Sequence, residues 1–110
     1  MQKAVLVRYA VKPEHAAENE ALSRAVFVEL REARPDNVAY ALFRNGLDFV
    51  HLFVNTAADD SAAVTELPSF KAYVKDIATR CETEPEVTRL SVDLIESYGF
   101  PAVRGSGLAR

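Results

Sequence analysis

The chain has 110 residues, 49% of them hydrophobic and 26% charged, with a net charge of −3. That length holds one domain with its own core, and mild acidity without a basic run gives a nucleic acid no electrostatic footprint, so no nucleic-acid partner is expected. The single cysteine, Cys81, excludes an internal disulfide, no apolar run approaches the ~20 residues of a membrane span, and no leader precedes the first strand-like residues, so a cytoplasmic protein with no membrane partner is expected.

Residues 3–11, KAVLVRYAV, alternate as a strand, with Val5, Val7, Tyr9 and Val11 on one face and Ala4, Leu6, Arg8 and Ala10 on the other. Both faces are mostly apolar. Pro13 suits a first helical position and Glu14 a first turn, so a helix is expected over 13–33. Its apolar stripe is Leu22, Val26, Leu30 and Ala33, widened by Ala25 and Phe27, with Glu18, Glu20, Arg24, Glu29, Arg31 and Glu32 facing solvent.

Residues 38–54, VAYALFRNGLDFVHLFV, organise the rest. Two apolar runs flank Asn45-Gly46, a hairpin signal because both turn positions need φ > 0. A two-residue turn pairs Tyr40 with His51 and Leu42 with Phe49; a four-residue loop pairs Leu42 with His51 and Tyr40 with Phe53. Either way Val38, Tyr40 and Leu42 share a face with Phe49, His51 and Phe53. The other face, with Ala39, Ala41, Phe43, Val50, Leu52 and Val54, is apolar as well, so the sheet must be covered on both sides.

Asp59, Asp60 and Ser61 then suit the cap of a short helical turn, and Pro68 opens a second helix. Phe70, Tyr73, Val74, Ile77, Ala78 and Cys81 recur at helical spacing, with Lys71, Lys75, Asp76 and Arg80 outside, and Pro85 marks the end. Residues 87–96 form a last strand, Leu90, Val92 and Leu94 against Arg89, Ser91 and Asp93, whose mixed character suits a sheet edge.

The order β-α-β-β-α-β gives a ferredoxin-like α+β sandwich: a four-stranded antiparallel sheet with helices on one face. The domain is expected over residues 1–99, with 100–110 an extended or disordered tail. Two helices cover only one face, so a homodimer joined through the other sheet face is expected.

In that element order, the strand-helix join RYAVKPEH, the hairpin YALFRNGLDFVHLF, the helix start LPSF and the ending RCETEPEVTRLSVDLIESYG resemble the antibiotic biosynthesis monooxygenase-like (ABM) family over residues 3–99. The resemblance implies a dimeric α+β barrel with a cavity between sheet and helices in each subunit. Some members use that cavity to oxidise cyclic phenolic substrates with molecular oxygen, without metal or flavin. Two departures stand out. Oxygenases of the family tend to place a tryptophan and an asparagine in the pocket, and this chain has no tryptophan. Haem-cleaving members place an asparagine on the first strand and a histidine on the second long helix; here Val5, Leu6 and Val7 occupy the strand and 68–80 holds no histidine, which disfavours haem degradation.

Among the candidates, His51 lies mid-strand beside Tyr40 and suits proton abstraction from a phenol or an acidic carbon, or is a core histidine bonded to Tyr40 or to backbone. Tyr40 and Tyr9 orient a substrate hydroxyl or pack with their hydroxyls satisfied. Arg8, in a central strand, needs a carboxylate, a substrate anion or a route to solvent: it holds an enolate, or pairs with Asp93 or Glu96 at the dimer face. Phe49, Phe53, Phe70 and Tyr73 are pocket wall or core, Cys81 is core, and His15 caps a cavity mouth or is solvated. Asp59-Asp60 has no further ligands at useful spacing, so no metal is expected, and no cofactor. The leading expectation is a cofactor-independent monooxygenase-like enzyme acting on an apolar cyclic or phenolic molecule, with His51 as general base, Tyr40 orienting a hydroxyl and Arg8 stabilising negative charge. The alternative is a non-catalytic dimer that binds a small apolar molecule or serves as an interaction module. A third is an isomerase or lyase in the same pocket, using His51 as a proton shuttle without oxygen.

Overall fold

Residues 2–56 and 64–99 are described by the computed structural model; the expected cap at Asp59, Asp60 and Ser61 and the tail 100–110 lie outside them. β1 (Gln2–Ala10) leads through a single 3-10 turn at Pro13–His15 into α1 (Ala16–Ala33). The helix stops where Arg34 turns left-handed (φ 49°) and its N–H reaches the Leu30 carbonyl at 2.7 Å; Pro35 follows and bars continuation.

β2 (Val38–Asn45) and β3 (Asp48–Asn55) form the hairpin. Tyr40 pairs with Phe53 and Leu42 with His51, the register expected for a longer loop, yet the turn is tight. Asn45 closes the ladder against Asp48, so the turn residues are Gly46 and Leu47, and of these Gly46 alone has positive φ, 63°. The expectation that Asn45 sits in the turn is corrected: a glycine at the first turn position suffices for a turn that matches strand twist.

The expected second helix is two short ones, α2 (Pro68–Val74) and α3 (Ile77–Arg80), broken where Asp76 turns left-handed at φ 60°. α2 is held over the sheet from α1, since Glu29 Oε1 accepts the Ser69 N–H at 2.9 Å, filling one of the donors a helix start leaves bare. Ser69, through its side chain and its backbone N–H, holds the Glu29 carboxyl below its ordinary pKa, and Glu29 is half-buried rather than solvated. β4 (Glu86–Val92) ends four residues sooner than its sequence pattern suggests.

The sheet order is β2-β3-β1-β4, antiparallel throughout, with helices on one face: the ferredoxin-like arrangement. Register aligns three rows beneath the helices. Tyr40, Phe53, Val5 and Arg89 form the first; Leu42, His51, Val7 and Val87 the second; Arg44, Phe49 and Tyr9 the third. The core lies over the third row, where Tyr9, Val11, Val26, Phe49, Tyr73 and Cys81 are buried. On the opposite face Leu6, Phe43 and Leu90 remain 41%, 55% and 51% exposed.

Candidate functional site

Four elements deliver polar side chains to one point under the helices. His51 on β3 is buried, and each ring nitrogen is occupied: Tyr40 Oη lies 3.0 Å from Nδ1, while Tyr9 Oη and Tyr73 Oη lie 2.8 and 3.1 Å from Nε2. The Tyr9 and Tyr73 oxygens are 2.6 Å apart. Asn19 Nδ2 donates to Tyr9 Oη at 2.9 Å, and Arg80 Nε donates to Asn19 Oδ1 at 3.0 Å. A guanidinium only donates, so the Asn19 oxygen must face Arg80, and its amide must donate to Tyr9.

The break after α2 explains Arg80. It exposes the carbonyls of Tyr73 and Lys75, and Arg80 turns inward to donate Nη2 to the first and Nη1 to the second, the latter at 3.0 Å. Its backbone carbonyl accepts the Lys12 N–H at 2.8 Å, and an antiparallel bridge between Val11 and Cys81 pins the next residue to the end of β1. Arg80 is therefore 2% exposed rather than solvated, its guanidinium carbon 5.7 Å from the Tyr73 ring centroid. Among the described residues no carboxylate pairs with it. A buried cation satisfied by carbonyls leaves the cluster with a net positive charge and rigid donors.

Burial lowers the His51 pKa to about 4, so at neutral pH the ring carries one donor and one acceptor nitrogen. Burial likewise pushes the Tyr40 and Tyr73 phenols well above their ordinary value; Tyr73 is raised further by neighbouring Tyr9, against a lowering by Arg80. Tyr9 also rises through burial, partly offset by the Asn19 hydrogen bond. The cluster is neutral apart from Arg80.

A cavity of about 350 Å³ opens beside it, over the first two rows of the sheet. Val5, Val7 and Phe53 form its floor, and Phe70, Val74 and Ile77 its roof. Tyr40, His51 and Tyr73 supply a polar spot, and Arg89, exposed on edge strand β4, lines it where it meets solvent. Tyr40 is braced by Phe27, stacked with centroids 4.8 Å apart, and by the edge of Phe53. This arrangement can hold an apolar ring and exchange protons or hydrogen bonds at one edge of it.

The sequence matches no family model and no curated relative. Solved structures do match. The Rv0793 protein of Mycobacterium tuberculosis superposes with a TM-score of 0.68 at 21% identity, over 87% of this chain and 100% of that one. A protein named antibiotic biosynthesis monooxygenase gives 0.58 at 23% identity, over 84% and 98%. SnoaB, a cofactor-independent oxygenase from Streptomyces nogalater, gives 0.60 at 17% identity, over 83% and 92%. The fold is antibiotic biosynthesis monooxygenase-like.

Within this ABM-like fold the candidate residues separate. Tyr40, His51, Phe53, Phe70 and Tyr73 line the cavity. Two expected pocket residues do not: Phe49 is fully buried and stacked on Tyr9 at 5.7 Å, and both stand in the third row, under α1 and behind His51. Tyr9 reaches the site through its hydroxyl and through its ring, stacked on His51 with centroids 5.5 Å apart. Arg8 belongs to the opposite face, exposed, with Val50 and Glu86 as strand partners rather than Asp93 or Glu96. Strand alternation forbids it from sharing a ligand with His51 in one chain. His15 bonds Glu18 at 3.0 Å on the surface, and Cys81 is buried with its thiol pKa raised by burial. Among the described residues no three His, Cys, Asp or Glu side chains gather as metal ligands, and no helix is long and apolar enough to cross a membrane.

Sequence reasoning missed Asn19, Arg80 and Arg89. Asn19 and Ser23 share the buried face of α1 with Ala16 and Val26. That spacing was the available signal, since two polar residues on an inward helical face require partners. Arg89 alternates with Leu90 and so faces the helices once Leu90 faces away.

Proposed function

We propose that the protein is a small oxygenase-like enzyme that needs no cofactor and acts on an apolar cyclic or phenolic molecule in the 350 Å³ cavity. One observation carries this reading: the polar spot of an otherwise apolar cavity is built from His51 with a phenol at each ring nitrogen. Because both nitrogens are engaged, His51 acts through Tyr40. The Tyr40 oxygen takes the acidic proton of the substrate while its own proton passes to Nδ1, 3.0 Å away. The substrate anion then gives electrons to molecular oxygen, a carbon–oxygen bond forms, and the resulting peroxide anion takes back the proton from Nδ1 through Tyr40, giving a hydroperoxide and the neutral ring. The role that sequence reasoning gave to Arg8 falls to Arg89, whose guanidinium meets an anionic substituent at the cavity opening. The fold likeness to a cofactor-independent oxygenase supports the assignment. A homodimer joined through the exposed Leu6, Phe43 and Leu90 face completes the proposal.

Oxygen uptake with hydroxynaphthalenes, alongside ligand binding by calorimetry, provides the test. His51→Ala is expected to abolish uptake; a variant that keeps both binding and uptake refutes the assignment. A second reading, a non-catalytic dimer that binds an apolar metabolite, is favoured by the internal satisfaction of both His51 nitrogens. Native mass spectrometry that finds a retained ligand, with no uptake by the wild type, selects it.

A further inference from the structure

The hydrogen bonds around His51 can be completed with the imidazole proton on either ring nitrogen, and one arrangement of each kind shows the contrast. Asn19 donates to Tyr9 Oη in both, because Arg80 fixes the amide. In the first, Tyr9 donates to His51 Nε2, Tyr73 donates to Tyr9, the imidazole proton sits on Nδ1 and is given to Tyr40, and the Tyr40 hydroxyl is left to point into the cavity. In the second, Tyr40 donates inward to Nδ1, Nε2–H donates to Tyr73, Tyr9 also donates to Tyr73, and the Tyr73 hydroxyl points into the cavity. Every other donor of the cluster has an acceptor in either, and the one hydroxyl left over faces the cavity. The sole difference presented to a ligand is which of two cavity-lining phenols offers a proton and which can accept one.

We propose that Tyr40 and Tyr73 are the two ends of a proton wire through His51, by which the protein takes a proton from one position of a bound molecule and returns one at another. The inference rests on the cavity being the ligand site, as in the proposed function. It adds a reaction class, the tautomerisation of a cyclic ketone or enol, that needs no oxygen. The balance closes within the cluster. The ligand's proton goes to Tyr40 Oη; the Tyr40 proton crosses to Nδ1; the Nε2 proton crosses 3.1 Å to Tyr73 Oη; and the Tyr73 proton goes to the ligand. The ligand loses one proton and gains one, with the electron pair of the broken C–H bond becoming the π bond of the isomer. The imidazole changes tautomer without ever carrying a charge, in keeping with its burial. Tyr9 turns its O–H from Tyr73 to Nε2 as the tautomer changes, and so acts as a positioning residue, as do Asn19 and Arg80. The tautomer is restored by the reverse pass, in which water in the emptied cavity gives a proton to Tyr73 Oη as the Tyr73 proton crosses to Nε2, and takes one from Tyr40 Oη as the Nδ1 proton crosses to it.

The wire is testable without knowing the ligand, by nitrogen-15 NMR of the histidine ring at about pH 7, where a neutral imidazole shows its tautomer directly. His15→Gln identifies which signals belong to His51. In Tyr73→Phe, Tyr9 has only Nε2 left to receive its proton, so His51 is expected to lock as the Nδ1–H tautomer. In Tyr40→Phe, a proton on Nδ1 would be an orphaned donor, so His51 is expected to lock as Nε2–H. Opposite tautomers in the two variants support the wire; the same tautomer in both overturns it. Should either variant fail to fold, the wild type decides: signals of both tautomers support the wire and a single tautomer overturns it. A frozen imidazole would leave the oxygenase reading standing, since that reading falls on its own test, retained oxygen uptake in His51→Ala.

Discussion

Acidification to about pH 5 should destabilise this protein through His51. An unfolded imidazole takes its proton near 6.5 and the folded one only near 4, because burial among apolar and phenolic groups disfavours the cation. Between those values the unfolded chain binds more protons, so stability falls as pH falls; above 6.5 the effect vanishes, and below 4 it is complete. The full loss is about 3 kcal/mol at 1.36 kcal/mol per pH unit, and about 2 kcal/mol of it is developed by pH 5. That is a large share of the ~5–15 kcal/mol expected for a domain of this kind. The assay is urea unfolding followed by circular dichroism at about pH 7.5 and about pH 5, on wild type and His51→Gln at equal protein concentration. Stopping at pH 5 keeps clear of Glu20 and Glu29, whose carboxyl groups are held below their ordinary range by Arg44 and Ser69, so their contributions are lost only in more acid solution. The variant should start less stable and then lose about 2 kcal/mol less than the wild type on acidification. Equal losses in the two proteins would refute the reasoning, and a wild type that gains stability would show that His51 is charged in the fold.

Arg80→Met strips donors from Asn19 Oδ1 and from the Tyr73 and Lys75 carbonyls, so it should cost about 3 kcal/mol or more in urea unfolding; a cost under ~1 kcal/mol would contradict that account. Arg80→Lys should recover little, because one ammonium cannot span acceptors that a planar fork reaches together. Arg89→Ala should weaken 2-naphthoate binding about tenfold, a loss of about 1.4 kcal/mol, while leaving 2-naphthol unchanged in calorimetry; equal effects on both ligands would remove the anion role. If the chains pair as proposed, the wild type should sediment as a dimer and Phe43→Asp, on the face away from the helices, as a monomer; a monomeric wild type would refute the pairing, and a dimeric variant would mean the chains meet elsewhere.

Local sequence signals carried the element order and the grouping of Tyr40, Leu42, Phe49, His51 and Phe53 on one face, because strand alternation and a glycine turn act over a few residues. They could not choose the hairpin register. That choice turned on Asn45 pairing with Asp48, a contact the two-residue and four-residue alternatives left undecided. The helix break at Lys75–Asp76 carried no warning: no glycine or proline stands there, and apolar spacing continues across it to Cys81. Once the break is present, its bare carbonyls recruit Arg80, so a rule that places arginines in solvent fails for a tertiary reason. Arg8 failed differently. Its face was readable from alternation, but which face receives helices depends on pairing of β1 with β3 and β4, residues 38 or more apart in the chain.

The same remoteness has a kinetic consequence. The cluster joins residues 42, 61 and 64 positions apart: Tyr9 to His51, Asn19 to Arg80, and Tyr9 to Tyr73. Each bond closes a long loop, but at different stages: Tyr9–His51 needs only β1 on β3, whereas Tyr9–Tyr73 and Asn19–Arg80 need the second helical region docked as well. Substitutions at Tyr73 or Arg80 should therefore act on the unfolding limb of a chevron and leave the folding limb nearly unmoved. Packing of the third sheet row against α1 would bring the chain together first, and the hydrogen bonds made by Tyr73 and Arg80 would be the last part of the cluster to form and the first to open.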